Sequence, residues 1–213
     1  MGIREELTKK GEQDLPKLEV YEIIDRIKML QSDRDKALVA FLFLTACRIS
    51  EVVHLYKEPK YWKDPETGYW WVIGKRRFSS EGIKKKQIDI DYSKDLMMIN
   101  NVRTLKKKRH QSKTKNIPII ISKEKALVDI FIKHLNTIDL DTTIFPITRQ
   151  RAYQILIKAD LFNHYMRHLR LTNLVVKYGF SAHQLKHFVN WVSIAPSDIY
   201  VHLNVEELIK QMR

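Results

Sequence analysis

Four short segments of this sequence carry side chains that could bind a phosphate group and attack it. The first segment, HYMRH, covers residues 164–168. On a helix, His164 lies three positions before Arg167 and four before His168, so the three side chains share one face. No acidic residue lies within that turn, and the guanidinium fork of arginine matches the oxygens of a phosphate. A solvated basic helix face would give the same pattern without any ligand.

The second segment, TACRISEVVHL, covers residues 45–55 and places Arg48 directly after an apolar stretch. A charge that is buried without a partner costs free energy, so Arg48 needs an anion nearby. Glu51, three residues later, could supply an ion pair. Alternatively, Arg48 could bind an anionic ligand.

The third and fourth features are Trp191 and the segment IYVHL, which covers residues 199–203. Tyr200 lies nine residues after Trp191. A tyrosine near the C-terminus usually serves packing, but a tyrosine hydroxyl can also act as a covalent nucleophile. Packing and catalysis therefore both remain open for Tyr200 on its own.

Taken in order, the four segments resemble the catalytic domain of the tyrosine recombinases, the family of phage integrases, Xer-type resolvases and their archaeal relatives. In that family an arginine sits in a motif like TGLRISELL, which matches Arg48 with Glu51 as its acidic neighbour. The family's His-x-x-Arg motif, often followed by a second histidine, matches His164, Arg167 and His168.

The end of the chain continues the resemblance. Some family members use a tryptophan nine residues before the nucleophile, which fits Trp191, and Tyr200 with His202 matches the nucleophile segment. The resemblance covers about residues 20–210. The sequence lacks the glycine usual before the arginine, LRLTNLVV replaces a run of small residues, and VNW replaces Leu-Gly-His. These departures indicate a divergent member, archaeal, viral or plasmid-borne.

The resemblance implies an enzyme, a site-specific DNA recombinase (integrase). Arg48 and Arg167 would hold the scissile phosphate, and Tyr200 would attack it to form a 3′-phosphotyrosyl link and a free 5′-hydroxyl. His164 would accept or position the tyrosine proton, and Trp191 would donate its indole N–H. Because the protein–DNA link keeps the energy of the broken bond, we expect no metal and no nucleotide cofactor.

The general acid for the 5′-oxygen is a lysine on a β-hairpin in this family, and two lysines compete for that role. The strand Asn116–Ile119, with its Ile-Pro pair, matches the end of the family's hairpin and favours Lys106 in the sequence RTLKKK. Lys75, in VIGKRRF, is closer to Arg48 along the chain. Choosing Lys106 implies an insertion around residues 57–85.

The charge of the chain points to a polyanionic partner. The 213 residues include 38 Lys and Arg against 25 Asp and Glu, a net charge of +13. Residues 75–115 hold 14 Lys and Arg against four Asp and Glu, so most of the excess is concentrated there. Phosphate-backbone binding needs such a concentration, and we expect double-stranded DNA as the partner. The single cysteine excludes an internal disulfide, and no apolar stretch is long enough to span a membrane. We expect a location in the cytoplasm or nucleoid of the host cell.

The element pattern predicts an α+β fold, mostly α, with a helical core and a small antiparallel β-sheet, as in the catalytic domain of the tyrosine recombinases. Residues 1–17 form a polar lead-in and residues 18–213 the catalytic domain. Within it, residues 57–122 form the sheet region with a basic hairpin, and residues 200–213 carry the nucleophile and a C-terminal helix. Helical spacing covers 18–30, 35–47, 49–55, 123–135, 148–159, 164–177, 181–189 and 205–212. Strand patterns cover 69–73, 87–91, 96–105 and 116–121.

Three other functions remain open at this level. A type IB topoisomerase-like enzyme would nick and rejoin DNA without site preference. A non-catalytic DNA-binding protein could retain the fold, and a basic RNA-binding domain would have the same charge. The family also assembles a tetrameric synapse on DNA, to which the helix at 205–212 would contribute. About 20 residues precede the first helix, which is too few for the N-terminal clamp domain of the family. We therefore expect either an excised catalytic domain or a natural minimal protein.

Overall fold

The computed structural model describes residues 19–53, 60–63, 65–73, 82–104, 114–197 and 200. Seven α-helices and five β-strands lie within these ranges, joined by short 3-10 turns. The helices are α1 (Val20–Lys28), α2 (Asp33–Thr45), α3 (Ile49–Val52), α4 (Lys125–Leu135), α5 (Arg149–Lys158), α6 (Asn163–Val176) and α7 (Ala182–Val189). The strands are β1 (Lys60–Lys63), β2 (Trp70–Ile73), β3 (Ile88–Asp91), β4 (Leu96–Arg103) and β5 (Thr114–Ile120). The predicted fold class, mostly α with a small antiparallel sheet, is confirmed.

Helix α2 is the centre of the core. After its charged first turn its residues are apolar on all sides, and every residue from Ala37 to Thr45 is buried. The helix packs against α1, α4 and α6. The Phe41 ring lies 5.0 Å from that of Phe131 and 5.7 Å from that of Phe145. A helix without a polar face can only be stable when surrounded, so this sequence fixes α2 as the element around which the others are arranged.

The described strands form two sheets rather than the one predicted. Strands β1 and β2 pair antiparallel, with Lys60 opposite Ile73. Strands β3, β4 and β5 form a second antiparallel sheet in that order. Side chains of β5 alternate strictly between exposed and buried, which turns Lys115 to the same buried side as Ile117 and Ile119. This alternation follows from the two-residue period of a strand.

Several predicted boundaries differ from the structure. Strand β1 was not among the predicted elements, and the predicted strand at 96–105 ends at Arg103. Helix α3 ends at Val52 because Val53 is extended, with φ −92° and ψ 162°. The predicted lead-in 1–17 and the predicted helix 205–212 lie outside the described residues. None of the helices in the described ranges is long and apolar enough to cross a membrane.

Candidate active site

A left-handed turn after α2 brings two predicted arginines together. Ala46 ends the helix with φ 49° and ψ 26°, a conformation that most non-glycine residues avoid. The turn makes Arg48 the residue that begins α3. It also directs the Ala46 carbonyl toward α6, where it accepts a 2.5 Å hydrogen bond from Arg167 Nη1. The turn therefore links two segments that are 121 residues apart in sequence.

Glu51 is a buried carboxylate that joins two cations. Its Oε1 lies 3.3 Å from Arg48 Nη1, and its Oε2 accepts the Arg48 amide N–H at 3.1 Å. Lys115 Nζ, from β5, lies 3.6 Å from the same Oε2. The Glu51 side chain is 1% exposed, whereas that of Arg48 is 35% exposed. Arg48 therefore has the ion pair considered from the sequence and still presents part of its guanidinium to solvent.

The charges in this cluster act on one another. Burial alone would raise the pKa of the Glu51 carboxyl, but Lys115, the Arg48 amide and the charges of Arg167 and Arg48 outweigh it and lower the pKa. Burial lowers the pKa of the Arg167 guanidinium, and the positive charge of Arg48 acts in the same direction. Burial also raises the pKa of the Cys47 thiol, so that thiol stays protonated at neutral pH.

Arg167 has an unused donor. The residue is 4% exposed, and among the described residues no acceptor lies within hydrogen-bonding distance of its Nη2. Its guanidinium carbon lies 5.9 Å from the ring centroid of Trp191. A buried donor without an acceptor costs about 1–3 kcal/mol, more when the group is charged, so this position favours an anion. The arrangement can bind one oxygen of a phosphate.

Tyr200 lies in the same cluster and is 4% exposed. Its hydroxyl oxygen is 2.6 Å from His168 Nδ1, and its ring stacks on that of Trp191 with 6.2 Å between centroids. His164, the histidine predicted to handle the tyrosine proton, instead contacts His168, with their Nε2 atoms 3.1 Å apart. The structure therefore brings Arg48, Arg167, Trp191 and Tyr200 together, with His164 one contact further out.

Both candidate lysines, Lys106 and Lys75, lie outside the described residues. The described residues that flank segment 105–113, however, make contacts at the site. At one end Thr104 Oγ1 accepts a 3.0 Å hydrogen bond from Asn190 Nδ2, and Asn190 immediately precedes Trp191. At the other end Lys115 reaches Glu51. The residues that flank the basic segment therefore lie beside the cluster.

Comparison with known proteins identifies the family. The model of the phage integrase family matches residues 13–207, which is most of the chain. The chain belongs to the phage integrase family.

Solved structures of this family give the fold. A crystal structure of XerH site-specific recombinase bound to difH substrate, a pre-cleavage complex, superposes with a TM-score of 0.55 at 15% identity, covering 93% of this chain and 54% of that one. A crystal structure of XerA recombinase superposes with a TM-score of 0.52 at 18% identity. That match covers 93% of this chain and 64% of the XerA chain. The XerH post-cleavage complex with palindromic difH superposes with a TM-score of 0.54 at 13% identity. That match covers 90% of this chain and 50% of the XerH chain. The chain thus spans between half and two thirds of these relatives. No curated protein sequence matches it significantly.

Three contributors of this phage integrase family member were not predicted as site residues. Lys115 could have been found from the alternation of β5, since it shares the register of Ile117 and Ile119. His168 lies in the HYMRH motif, but spacing alone does not tell which histidine contacts the tyrosine. Asn190 ends α7 in the left-handed conformation with φ 59°, and no sequence pattern connected it to Thr104. Within the described residues, no three His, Cys, Asp or Glu side chains converge to hold a metal ion.

Proposed function

We propose that this chain is the catalytic domain of a site-specific DNA recombinase that cleaves and rejoins DNA through a 3′-phosphotyrosyl intermediate. One observation carries the proposal: the hydroxyl of Tyr200 lies in the same buried cluster as Arg167, whose Nη2 donor has no acceptor among the described residues. A nucleophile beside a vacant cationic donor is what phosphoryl transfer without a metal requires.

The two arginines would bind the scissile phosphate. Arg167 is fixed by the Ala46 carbonyl through Nη1, which leaves Nη2 for a non-bridging oxygen. Arg48 is held by Glu51 and presents its exposed part to a second oxygen. Because neither guanidinium has to reorganise during the reaction, both stabilise the charge that develops in the transition state. Removing one such donor typically slows the chemical step by about 10²–10³-fold.

Tyr200 would attack phosphorus, and the bond to the 5′-oxygen would break as the Oη–P bond forms. Trp191 supports this position by stacking on the tyrosine ring. The departing 5′-oxygen needs a proton, which we assign to Lys106. Lys106 follows the anchored residue Thr104 by two positions, at most about 7 Å along the backbone. The free 5′-hydroxyl could then attack the phosphotyrosine and restore the DNA.

The partner would be double-stranded DNA. Segment 105–113, LKKKRHQSK, holds five Lys and Arg and no Asp or Glu, and the described residues that flank it contact the cluster. Phosphates on either side of the cleaved bond would meet this charge. The two solved XerH relatives are bound to difH substrate, which supports the assignment. Such an enzyme would act in the host cytoplasm or nucleoid.

Recombination joins two duplexes, so we also propose that the protein assembles as a tetrameric synapse on DNA. The segment 205–212 would dock on a neighbouring subunit through its apolar residues, Val205, Leu208, Ile209 and Met212. Sedimentation of the protein with and without a full recombination site tests this. Truncation after residue 204 should leave half-site binding intact and abolish the tetramer.

A covalent-trapping assay tests the function. The protein is incubated in EDTA with a pool of nicked suicide duplexes, and SDS-resistant adducts are isolated and their DNA sequenced. We expect a 3′-linked adduct that is enriched for one sequence. Tyr200→Phe should abolish it, whereas Tyr153→Phe, which removes the hydroxyl of an exposed tyrosine on α5, should not.

The other functions are outcomes of the same assay. Adducts without sequence preference, together with relaxation of supercoiled plasmid, would indicate the topoisomerase-like activity. Salt-sensitive DNA binding without any adduct on any duplex would indicate a non-catalytic DNA-binding protein.

A further inference from the structure

The hydroxyl of Tyr200 has to lose its proton before it attacks phosphorus, and it is buried away from bulk water. The acceptor that contacts it is His168 Nδ1 at 2.6 Å. His168 in turn contacts His164. The Nε2 atoms of the two histidines are 3.1 Å apart, and their ring centroids are 4.5 Å apart. Along this line exposure increases, from the buried Tyr200 to the half-buried His168 and the exposed His164.

We propose that His168, the histidine after the arginine, is the direct general base of the reaction, and that His164 receives the proton from it and releases it to water. The inference rests on the proposed function, because it describes how that nucleophile is activated. In this proposal His168 is a catalytic residue, and His164 positions His168 and removes the proton from it.

The two hydrogen bonds fix where each proton lies. If the Tyr200 hydroxyl donates to His168 Nδ1, neutral His168 carries its own proton on Nε2 and donates it to His164 Nε2. In the transfer, the O–H bond of Tyr200 breaks as Nδ1–H forms, and Nε2–H of His168 breaks as Nε2–H of His164 forms. The products are a tyrosinate, a neutral His168 and an imidazolium at His164. The tyrosinate forms the Oη–P bond while P–O5′ breaks, and rejoining reverses every step.

The electrostatics of the cluster favour this path over a proton that stays on His168. The positive charges of Arg48 and Arg167 act on each other, and Arg167 also interacts with Tyr200. An imidazolium at the half-buried His168 would attract the tyrosinate 2.6 Å away, which favours return of the proton, and would be less hydrated than one at the exposed His164. Moving the proton to His164 places that charge in water, where it is screened.

The test uses variants that keep each hydrogen bond but cannot accept a proton. His168→Asn places an amide where Nδ1 lies, and His164→Gln places one where Nε2 lies. Adduct formation on the suicide duplex should fall about 100-fold or more in His168→Asn, the usual contribution of a general base. It should fall about tenfold in His164→Gln, since His168 still accepts the proton and only its release is slowed. His183→Asn, an exposed histidine on α7, should match wild type.

Two further readouts separate proton transfer from structure. Imidazole in the buffer should restore adduct formation in His164→Ala and in His168→Ala, because both truncations leave space for an imidazole at positions that are at least partly exposed to solvent. A duplex with sulfur in place of the 5′-bridging oxygen releases a thiolate that needs no proton. That duplex should rescue Lys106→Met and leave His168→Asn slow.

The outcomes distinguish this inference from the function it depends on. If wild type forms no adduct, or Tyr200→Phe still forms one, the proposed function fails and the inference fails with it. If Tyr200 is the nucleophile but His168→Asn reacts at the wild-type rate, only the inference is overturned. The same holds if imidazole restores neither variant, or if the sulfur duplex rescues His168→Asn.

Discussion

At the scale of single residues, the site is organised by one buried carboxylate. Glu51 accepts bonds from Arg48 and faces Lys115, whose side chain is only 3% exposed and has no hydrogen-bond partner in the described part of the chain. An ammonium so buried cannot contact DNA from this position. Its role is to hold Glu51 ionised, and Glu51 in turn holds Arg48.

Replacing Lys115 with Met should therefore shift the pH dependence of folding. The pKa of Glu51 is lowered in the folded protein, so its stabilising effect is complete above the unfolded pKa, about 4.3, and is lost as the pH falls through the folded pKa. Lys115 is the strongest of the groups that lower it. In Lys115→Met the folded pKa rises, and acid unfolding should begin at higher pH. Urea denaturation between pH 3 and 7 measures this.

The same variant should lose about 3 kcal/mol of stability at pH 7, the lower end for breaking a buried ion pair, because Arg48 still partners Glu51. Lys133→Met is the control, since it removes an exposed lysine paired with Asp33 at the surface. Exposed ion pairs contribute little to stability, so Lys133→Met should be nearly as stable as wild type. Equal losses of stability in Lys115→Met and Lys133→Met would contradict the role assigned to Lys115.

Ala46 gives a second residue-scale prediction. Its left-handed conformation costs about 1–2 kcal/mol for a residue with a Cβ, which explains why glycine is usual at this place in the family. Ala46→Gly removes that cost and adds about 0.5–1 kcal/mol of chain entropy, so the variant should be at least as stable as wild type. Ala46→Val, β-branched and buried, should lose about 2 kcal/mol or more. Thermal melting compares them, and a destabilised Gly variant would contradict the argument.

At the scale of elements, α6 is the helix that brings Arg167, His164 and His168 to the site. It is fixed to the turn after β5 by Arg170, whose Nη1 pairs with the buried Glu124. Tyr178 donates to the same carboxylate at 2.8 Å, and burial together with this bond raises the pKa of Tyr178 to about 12. Glu124 therefore holds α6 and Tyr178 against the turn after β5.

The bond between Thr104 and Asn190 performs a similar task for β4 and α7. Thr104→Val keeps the shape of the side chain and removes the acceptor, so stability should fall by about 1 kcal/mol. Because the bond also fixes the start of segment 105–113, adduct formation should slow as well. Suicide-duplex kinetics and melting measure the two effects.

Thr137→Val is the matched variant, because Thr137 Oγ1 donates a comparable 2.7 Å bond to the His134 carbonyl at the end of α4. It should lose similar stability without slowing the reaction. If both variants react at the wild-type rate, Thr104 does not position the basic segment.

At the scale of the whole molecule, the proposed DNA binding should depend on the excess of positive charge and weaken with added salt. Neutralising a phosphate contact lowers the slope of log K against log[salt] by about 0.9. The double variant Lys107→Gln/Lys108→Gln should therefore lower the slope by about 2 and weaken binding to all sequences equally. Lys125→Gln, on the exposed face of α4 and paired with Asp129, should leave the slope unchanged. Binding titrations across salt concentrations measure this, and a sequence-selective loss would contradict it.

The sequence by itself determined most of the helices and indicated the family. An all-apolar run of residues can only be a surrounded helix, which predicted α2, and the order of Arg48, His164, Arg167, Trp191 and Tyr200 indicated the family. Charge concentration also needs no coordinates, since it is a property of composition along the chain.

The tertiary structure decided which of these groups touch. Arg167 meets a carbonyl 121 residues away, Lys115 meets Glu51 from a strand, and His168 rather than His164 meets Tyr200. Spacing along a helix places both histidines on one face but leaves open which of them faces the nucleophile. That choice depends on how α6 packs against α2 and the segment of Tyr200, and packing is a sum over contacts between residues that are distant in sequence.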